Sequence, residues 1–316
     1  MNHCLAIDIG GTFIKYGLID QTGLILEQGK EKTPPTIEEF WQTLESIISS
    51  YHDSVSGLAI ACPGNIDTQN DSVKTGGLIP YLRNIPLGQR LMETFALPVE
   101  VLNDADAAGL AEAKTGTLKN CHCGAVLVLG TGVGFALVSD GQLVNLAQLP
   151  GKDFFHGPLA TVEAKETSKP LQDLGQILGL HWRGIKSLVA NSGSAVQFIR
   201  QASHQLALEQ EDGKEVFHQL ESGQDSLLQE SFTNYCKEIA YLIFNLCLLL
   251  QLETLAIGGG ISQQERLIEG INQAFDEIVA TEQLSFQRQP NFKIQACRYQ
   301  NEANLLGAFY HFQETV

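Results

Sequence analysis

The stretch "LAIDIGGTFIKYGLID" occupies residues 5–20. Its first apolar run, 5–9, carries one acid, Asp8. Gly10, Gly11 and Thr12 follow, and a second apolar run covers 13–19. This is the pattern of a strand, a tight glycine turn and a strand. An acid in an apolar strand is costly unless something charged or hydrogen-bonding meets it. Two readings stand side by side. In one, Asp8 caps the turn of a plain β-hairpin. In the other, the small side chains at the tip let an anion approach backbone N–H groups. A Mg²⁺ ion carried by nucleotide phosphates would then meet Asp8, usually through water, and Thr12 would donate its hydroxyl to a phosphate oxygen.

The same pattern restarts later. "AVLVLG" (125–130), the turn Thr131-Gly132 and "VGFALVSDG" (133–141) again read as strand, glycine turn, strand. "GTGVG" at 130–134 is no dinucleotide fingerprint, because the spacing is wrong and the next residues alternate as a strand. The chain also lacks a P-loop. A third cluster, Gly258, Gly259 and Gly260 in "LAIGGGIS", ends a buried strand before a helix. It reads as a tight helix entry, or as backbone against which a flat ring or phosphate can lie. "LNDADAAGLAE" (102–112) places Asn103 and Asp104 where a buried strand passes into an Ala-rich helix, 105–114. Either residue suits a helix N-cap. Asp104 also stands at the C-terminal edge of a sheet, where open α/β folds bind ligands, and could take a proton from a hydroxyl nucleophile. Asp106 and Glu112 read as solvated or packing residues.

Around these motifs the periodicity predicts a strand over 24–32 and a capped amphipathic helix opening at Thr36. It predicts helices near 87–96, 170–180, 191–209, 224–251 and 264–280, a strand over 293–299 and a last helix from 301. Residues 65–86 read as irregular. A domain boundary is expected near 115–123.

The 316 residues are 44% hydrophobic and 18% charged, enough for a substantial core. Twenty basic against 36 acidic residues give a net charge of −16. With no Lys/Arg run, that argues against nucleic acid as a partner. The N-terminus shows no targeting segment, and the longest apolar run, 239–252, is too short to span a bilayer. That run reads as a helix buried within one subunit or as a homodimer interface. Seven scattered cysteines fit a reduced, cytoplasmic protein. "CHC" at 121–123 has no second Cys/His pair nearby, so ordinary thiols at a strand start are expected rather than zinc.

Taken in order, "AIDIGGTFIKYGL", "LAIACPGNID", "LNDADAAGLAE", "LVLGTGVGFALV" and "LAIGGGIS" resemble the successive motifs of the ROK-family sugar kinases. The resemblance runs from near residue 5 to the closing "NEANLLGAFYHF" and looks nearest to β-glucoside and N-acetylmannosamine kinases. It implies an α/β, two-domain actin-like (ribonuclease-H-like) fold with an interdomain cleft. The small domain would be 1–116 joined by the helix 301–316, and the large domain 117–300. It implies ATP and Mg²⁺ as cofactors and a sugar as substrate. Asp104 would be the general base, with Asn103, Gly64 and Gly77 also on the sugar. Asp8, Gly10, Gly11, Thr12 and Lys15 would face phosphates and Mg²⁺, as would Gly130, Thr131, Gly132 and Gly134. Gly258, Gly259 and Gly260 would border adenosine.

One segment departs from that family. Its E-x-G-H and zinc-binding C-x-C-G-x-x-G-C-x-E motifs have no match in 150–190. Lys152 and Phe155 fall about where the Glu and His belong, and Ile185 and Ser187 about where the last Cys and Glu belong. His156 and His181 stand at other offsets. A zinc-free chain is expected, and a non-catalytic sugar- or nucleotide-sensing protein is the alternative to a kinase. The first strand begins within a few residues of Met1. This argues against the winged-helix repressors of the family.

Overall fold

A computed structural model describes residues 3–77, 79–144, 193–281 and 292–316. The chain divides into two compact units, Met1–Lys119 with Asn301–Val316, and Asn120–Gln300.

The first unit is built on β1 (His3–Ile9), β2 (Phe13–Ile19), β3 (Ile25–Lys32), β4 (Val55–Cys62) and β7 (Val99–Asn103). They form one sheet in the order β3-β2-β1-β4-β7. The hairpin strands are antiparallel, while β1, β4 and β7 run parallel. β1 and β4 are apolar almost throughout, as strands covered on both faces must be. β3 is the edge strand, and its exposed Glu, Gln and Lys residues discourage pairing with another chain. Helix α1 (Ile37–Tyr51) is capped by Thr36, whose hydroxyl accepts from Glu39 N at 3.3 Å. It buries Phe40, Trp41, Leu44, Ile47 and Ile48, each contributing about 2 kcal/mol of transfer free energy. α2 (Leu87–Phe95) follows.

Residues 65–86 are more ordered than the sequence reading expects. Asn65–Asp67 (β5) and Ser72–Thr75 (β6) form an antiparallel ribbon. The reason is local. Asp67 accepts from Gln69 N (3.2 Å) and Asn70 Nδ2 (3.0 Å), and Asp71 takes a left-handed φ of 46° that closes the turn.

Helix α3 (Asp104–Thr115) is buried nearly all round, which its alanines permit. The C-terminal helix α8 (Ala303–Thr315) crosses it at backbone distance, and a Cβ on Gly307 would overlap the Ala107 carbonyl. α8 also packs on β1, β4 and β7.

The second unit has a sheet of the same form. β8 (Cys123–Leu129), β9 (Val133–Ser139), β10 (Gln142–Leu143), β11 (Thr254–Gly258) and β12 (Lys293–Ala296) lie in the order β10-β9-β8-β11-β12. Again a hairpin edge is antiparallel, and the strands from β8 onward are parallel. The repeat of strand, glycine turn and strand is thus the visible part of a repeat of whole sheets.

Its described helices are α4 (Ala195–Gln205), α5 (Gly213–Ser222), α6 (Ser226–Leu249) and α7 (Glu265–Thr281). The helix expected over 191–209 ends early, because Ala207 turns left-handed at φ 51°. α5 has no counterpart in the sequence reading. It is started by Asp212, whose Oδ1 accepts from Lys214 N (2.9 Å) and Glu215 N (3.2 Å). α6 buries Ile239 and, all round one turn, Leu242, Ile243, Phe244, Asn245 and Leu246, while Leu248 and Leu249 are exposed. Among the described residues no helix is long and apolar enough to cross a membrane. The expected helix at 170–180, and Lys152, Phe155, His156, His181, Ile185 and Ser187, lie outside the described residues.

Candidate active site

In the first unit, β1, β4 and β7 end at one edge of their sheet. Register sets Asp8 beside Ala61, and Cys62 beside Asn103. Asp8 is only 4% exposed. Lys15 faces it across the hairpin with Nζ 3.6 Å from Oδ2, and Asn304 Nδ2 donates to Oδ1 at 3.0 Å. Burial nevertheless raises the Asp8 carboxyl above its ordinary value, against the opposing pull of Lys15 and Asn304. The turn beside it is pinned at its base. Gly10 N donates to the Phe13 carbonyl at 3.0 Å, and Thr33 Oγ1 donates to the Gly10 carbonyl at 2.6 Å. Gly11 and Thr12 stand exposed at the tip.

Asn103 is the N-cap of α3. Its Oδ1 accepts from Ala105 N at 2.9 Å and from Asp106 N at 3.2 Å. Its Nδ2 donates to the Gly64 carbonyl at 2.7 Å, joining the ends of β7 and β4. Gly64 has φ 96°, and a Cβ there would overlap the Thr75 carbonyl. Gly77, φ 56°, packs beside the Gly64 backbone, so these two glycines are neighbours.

Asp104 is half-buried as the first residue of α3, and its Oδ1 accepts from Ala105 N at 2.9 Å. Burial first, then the charge of Asp8, pushes its carboxyl up to about 6, opposed by the Ala105 N–H. Asp106 is pushed up to about 7 by burial and then by Asp104. The Cys62 thiol is also raised, first by burial, then by Asp104 and Asp8. Three carboxylates and a thiol therefore share one low-dielectric corner, which is an environment short of positive charge. Asp106, which the sequence leaves as a solvated or a packing residue, sits half-buried and electrostatically tied to Asp104. Glu112 is a packing residue, fully buried with Oε2 accepting from Thr117 N at 2.6 Å.

In the second unit, Gly130 N donates to the Gly132 carbonyl at 2.9 Å, closing a tight turn with Thr131 exposed at its tip. Gly134, half-buried, sits one residue into β9, opposite Val128. The Gly130 carbonyl accepts from Val196 N and from Ser194 Oγ, both at 3.3 Å, which ties the turn to the start of α4. Gly258 pairs with Val128, and Gly259 (φ 99°) lies so close to β8 that a Cβ would overlap the Leu129 carbonyl. A Cβ on Gly260 would meet nothing within 4 Å. The second and third glycine clusters are thus adjacent at one sheet edge.

The "CHC" residues belong to neither group. Cys121 Sγ donates to Glu253 Oε2 at 3.4 Å, and the exposed His122 pairs with Asp140 at 2.7 Å. Among the described residues, no group of three His, Cys, Asp or Glu is arranged to hold a metal ion. A single buried carboxylate, Asp8, fits a different requirement. It suits a hard cation that keeps most of its waters and arrives with phosphates.

Sequence reasoning missed Asn304, Cys62 and the part played by Asp106. Asn304 is 296 residues from the acid it binds, and no local pattern signals such a partner.

The ROK family model matches residues 4–148 and 188–315. The chain belongs to the ROK family. Its paired sheets of like order are those of the actin-like fold. This ROK chain is 26% identical over 314 residues to a β-glucoside kinase of Klebsiella pneumoniae, covering 98% of this chain and 95% of that protein. It is similar to the crystal structure of a ROK family protein from Streptococcus pneumoniae in complex with sucrose. There the TM-score is 0.75 at 25% identity, over 99% of this chain and 98% of the other. It shares its fold with a ROK family glucokinase from Streptomyces griseus in complex with glucose and AMPPNP. That TM-score is 0.68 at 20% identity, over 97% and 98% of the two chains.

Proposed function

We propose that this ROK protein is an ATP-dependent sugar kinase, transferring the γ-phosphate to a hydroxyl of a hexose, amino sugar or glycoside. The observation that carries the reading is Asp104. It stands at a strand-to-helix junction with its carboxyl raised to about 6. Such a group is mostly ionised at neutral pH, yet more basic than an ordinary carboxylate, which suits a general base. Asp104 accepts the proton of the sugar hydroxyl as that oxygen forms its bond to the γ-phosphorus. The bond from that phosphorus to the β–γ bridging oxygen breaks, and ADP leaves.

Mg²⁺ bound with the nucleotide would neutralise phosphate charge, the main demand of phosphoryl transfer. Asp8 would hold that cation, through water. In the first unit, Gly10, Gly11, Thr12 and Lys15 offer N–H, hydroxyl and ammonium groups to phosphates; in the second, Gly130, Thr131, Gly132 and Gly134 form a turn of the same anion-binding chemistry. Gly258, Gly259 and Gly260 border the adenosine. Asn103, Gly64 and Gly77 shape the sugar side, where any larger residue at Gly64 would displace the Thr75 carbonyl. The kinase relative and the AMPPNP-bound neighbour support ATP as donor.

Coupled ADP release over a panel of hexoses, amino sugars and glycosides tests this reading. One or more sugars should stimulate turnover, and Asp104→Asn should abolish the stimulation. A second reading, a non-catalytic sugar or nucleotide sensor, is favoured by Lys152 and Phe155 standing near the family's Glu and His positions. Sugar binding without any turnover would select it.

A further inference from the structure

Asp8 is held by two unlike partners. Lys15, on the hairpin, is 36% exposed and lies 3.6 Å from Oδ2, too long for a tight hydrogen bond. Asn304 is half-buried, comes from the other end of the chain, and donates to Oδ1 at 3.0 Å. Asn304 is the second residue of α8, one turn before Gly307. Gly307 in turn packs against Ala107, which lies one turn into α3 from Asp104. The helix crossing that fixes α3 therefore also fixes where the Asn304 amide points. A carboxylate this buried needs a donor that does not leave.

We infer that Asn304 is a positioning residue for Asp8. The amide holds Oδ1 and sets the carboxylate plane, leaving Oδ2 as the oxygen that exchanges Lys15 for the hydrated cation of an incoming nucleotide. The division of labour follows from the chemistry. A neutral amide donates to the carboxylate without opposing a second positive charge. The ammonium of Lys15 is half-exposed on a flexible four-carbon stem and can move onto a phosphate. This inference rests on the proposed nucleotide site and adds to it a residue outside every glycine motif.

The test is binding rather than turnover. Calorimetric affinities for ADP are measured with Mg²⁺ and with EDTA, in wild type and Asn304→Ala, alongside a thermal melt. Mg·ADP affinity is expected to fall about 10- to 100-fold in the variant, the equivalent of one lost hydrogen bond to a charged group. Metal-free ADP affinity should change by less than about 2-fold on the same reasoning, because Asp8 meets only the cation. Asn304→Ser, whose hydroxyl is too short to reach Asp8, repeats the measurement if the alanine variant melts early. Equal Mg·ADP affinity in wild type and variant overturns the inference and leaves the nucleotide site standing. Equal losses with and without Mg²⁺ also overturn it, since they mark a packing role. A wild-type protein that binds no Mg·ADP overturns both.

Discussion

Asn103 Nδ2 donates to the Gly64 carbonyl at 2.7 Å, while the same side chain caps α3 through Ala105 N and Asp106 N. One amide thus joins the β4 loop to the helix that carries Asp104. Asn103→Ala removes the cap and the loop bond together. It should cost about 2 kcal/mol, roughly one for each, read as a lower urea midpoint. If the site is as proposed, the apparent KM for sugar should rise more than kcat falls.

Asp104→Asn keeps the shape and removes the proposed base. The expected loss in kcat is on the order of 10²- to 10⁴-fold, the usual contribution of a general base. KM for ATP should be nearly unchanged. Steady-state kinetics on the best sugar checks this, and a variant retaining full rate would leave Asp104 as a helix residue only.

The acid limb of kcat/KM should fall with an apparent pKa near 6, because Asp104 accepts a proton only when ionised. The charge of Asp8 is the second cause of that shift, so Asp8→Asn should move the limb to lower pH. An unmoved limb would detach Asp8 from the base.

Stability carries the opposite sign. Asp104 binds its proton more tightly folded, at about 6, than unfolded, at about 3.9. The folded state therefore holds more protons between these values, and stability falls as pH rises through them. Below about pH 4 the penalty is absent, and above about pH 6 it is complete. Asp104→Asn should melt a few degrees higher than wild type at pH 7.5 and no higher at pH 4, by scanning calorimetry without ligand.

Gly307→Val places a branched side chain against the Ala107 carbonyl. Overpacking of this kind costs about 1–3 kcal/mol or more. Because Asn304 and Asp104 each lie one turn away, turnover should fall even where the variant stays folded. Chemical denaturation and activity on the same sample separate the two effects.

Much of this was legible in the linear chain. The glycine turns at 10–12, 130–132 and 258–260 announce themselves, since tight turns and close backbone approaches demand residues without a Cβ. The α1 cap and apolar face follow from a 3.6-residue period. The β5–β6 ribbon and α5 escaped because both are short and polar. Their order comes from Asp67 and Asp212 binding backbone N–H groups, a signal that resembles any loop aspartate.

By itself, then, the sequence determined the local pieces: paired strand-turn-strand units, an acid at a strand end, an Asn-Asp pair at a helix start, and the ordered motifs of the ROK family. Only the tertiary structure decided what those residues meet. It gave the cap to Asn103 rather than Asp104, brought Asp106 and Cys62 into the same low-dielectric corner, and delivered Asn304 to Asp8 from 296 residues away. Local propensity acts over a few residues. Burial, charge coupling and hydrogen bonds between distant segments exist only once the sheet edge and the two crossing helices have assembled.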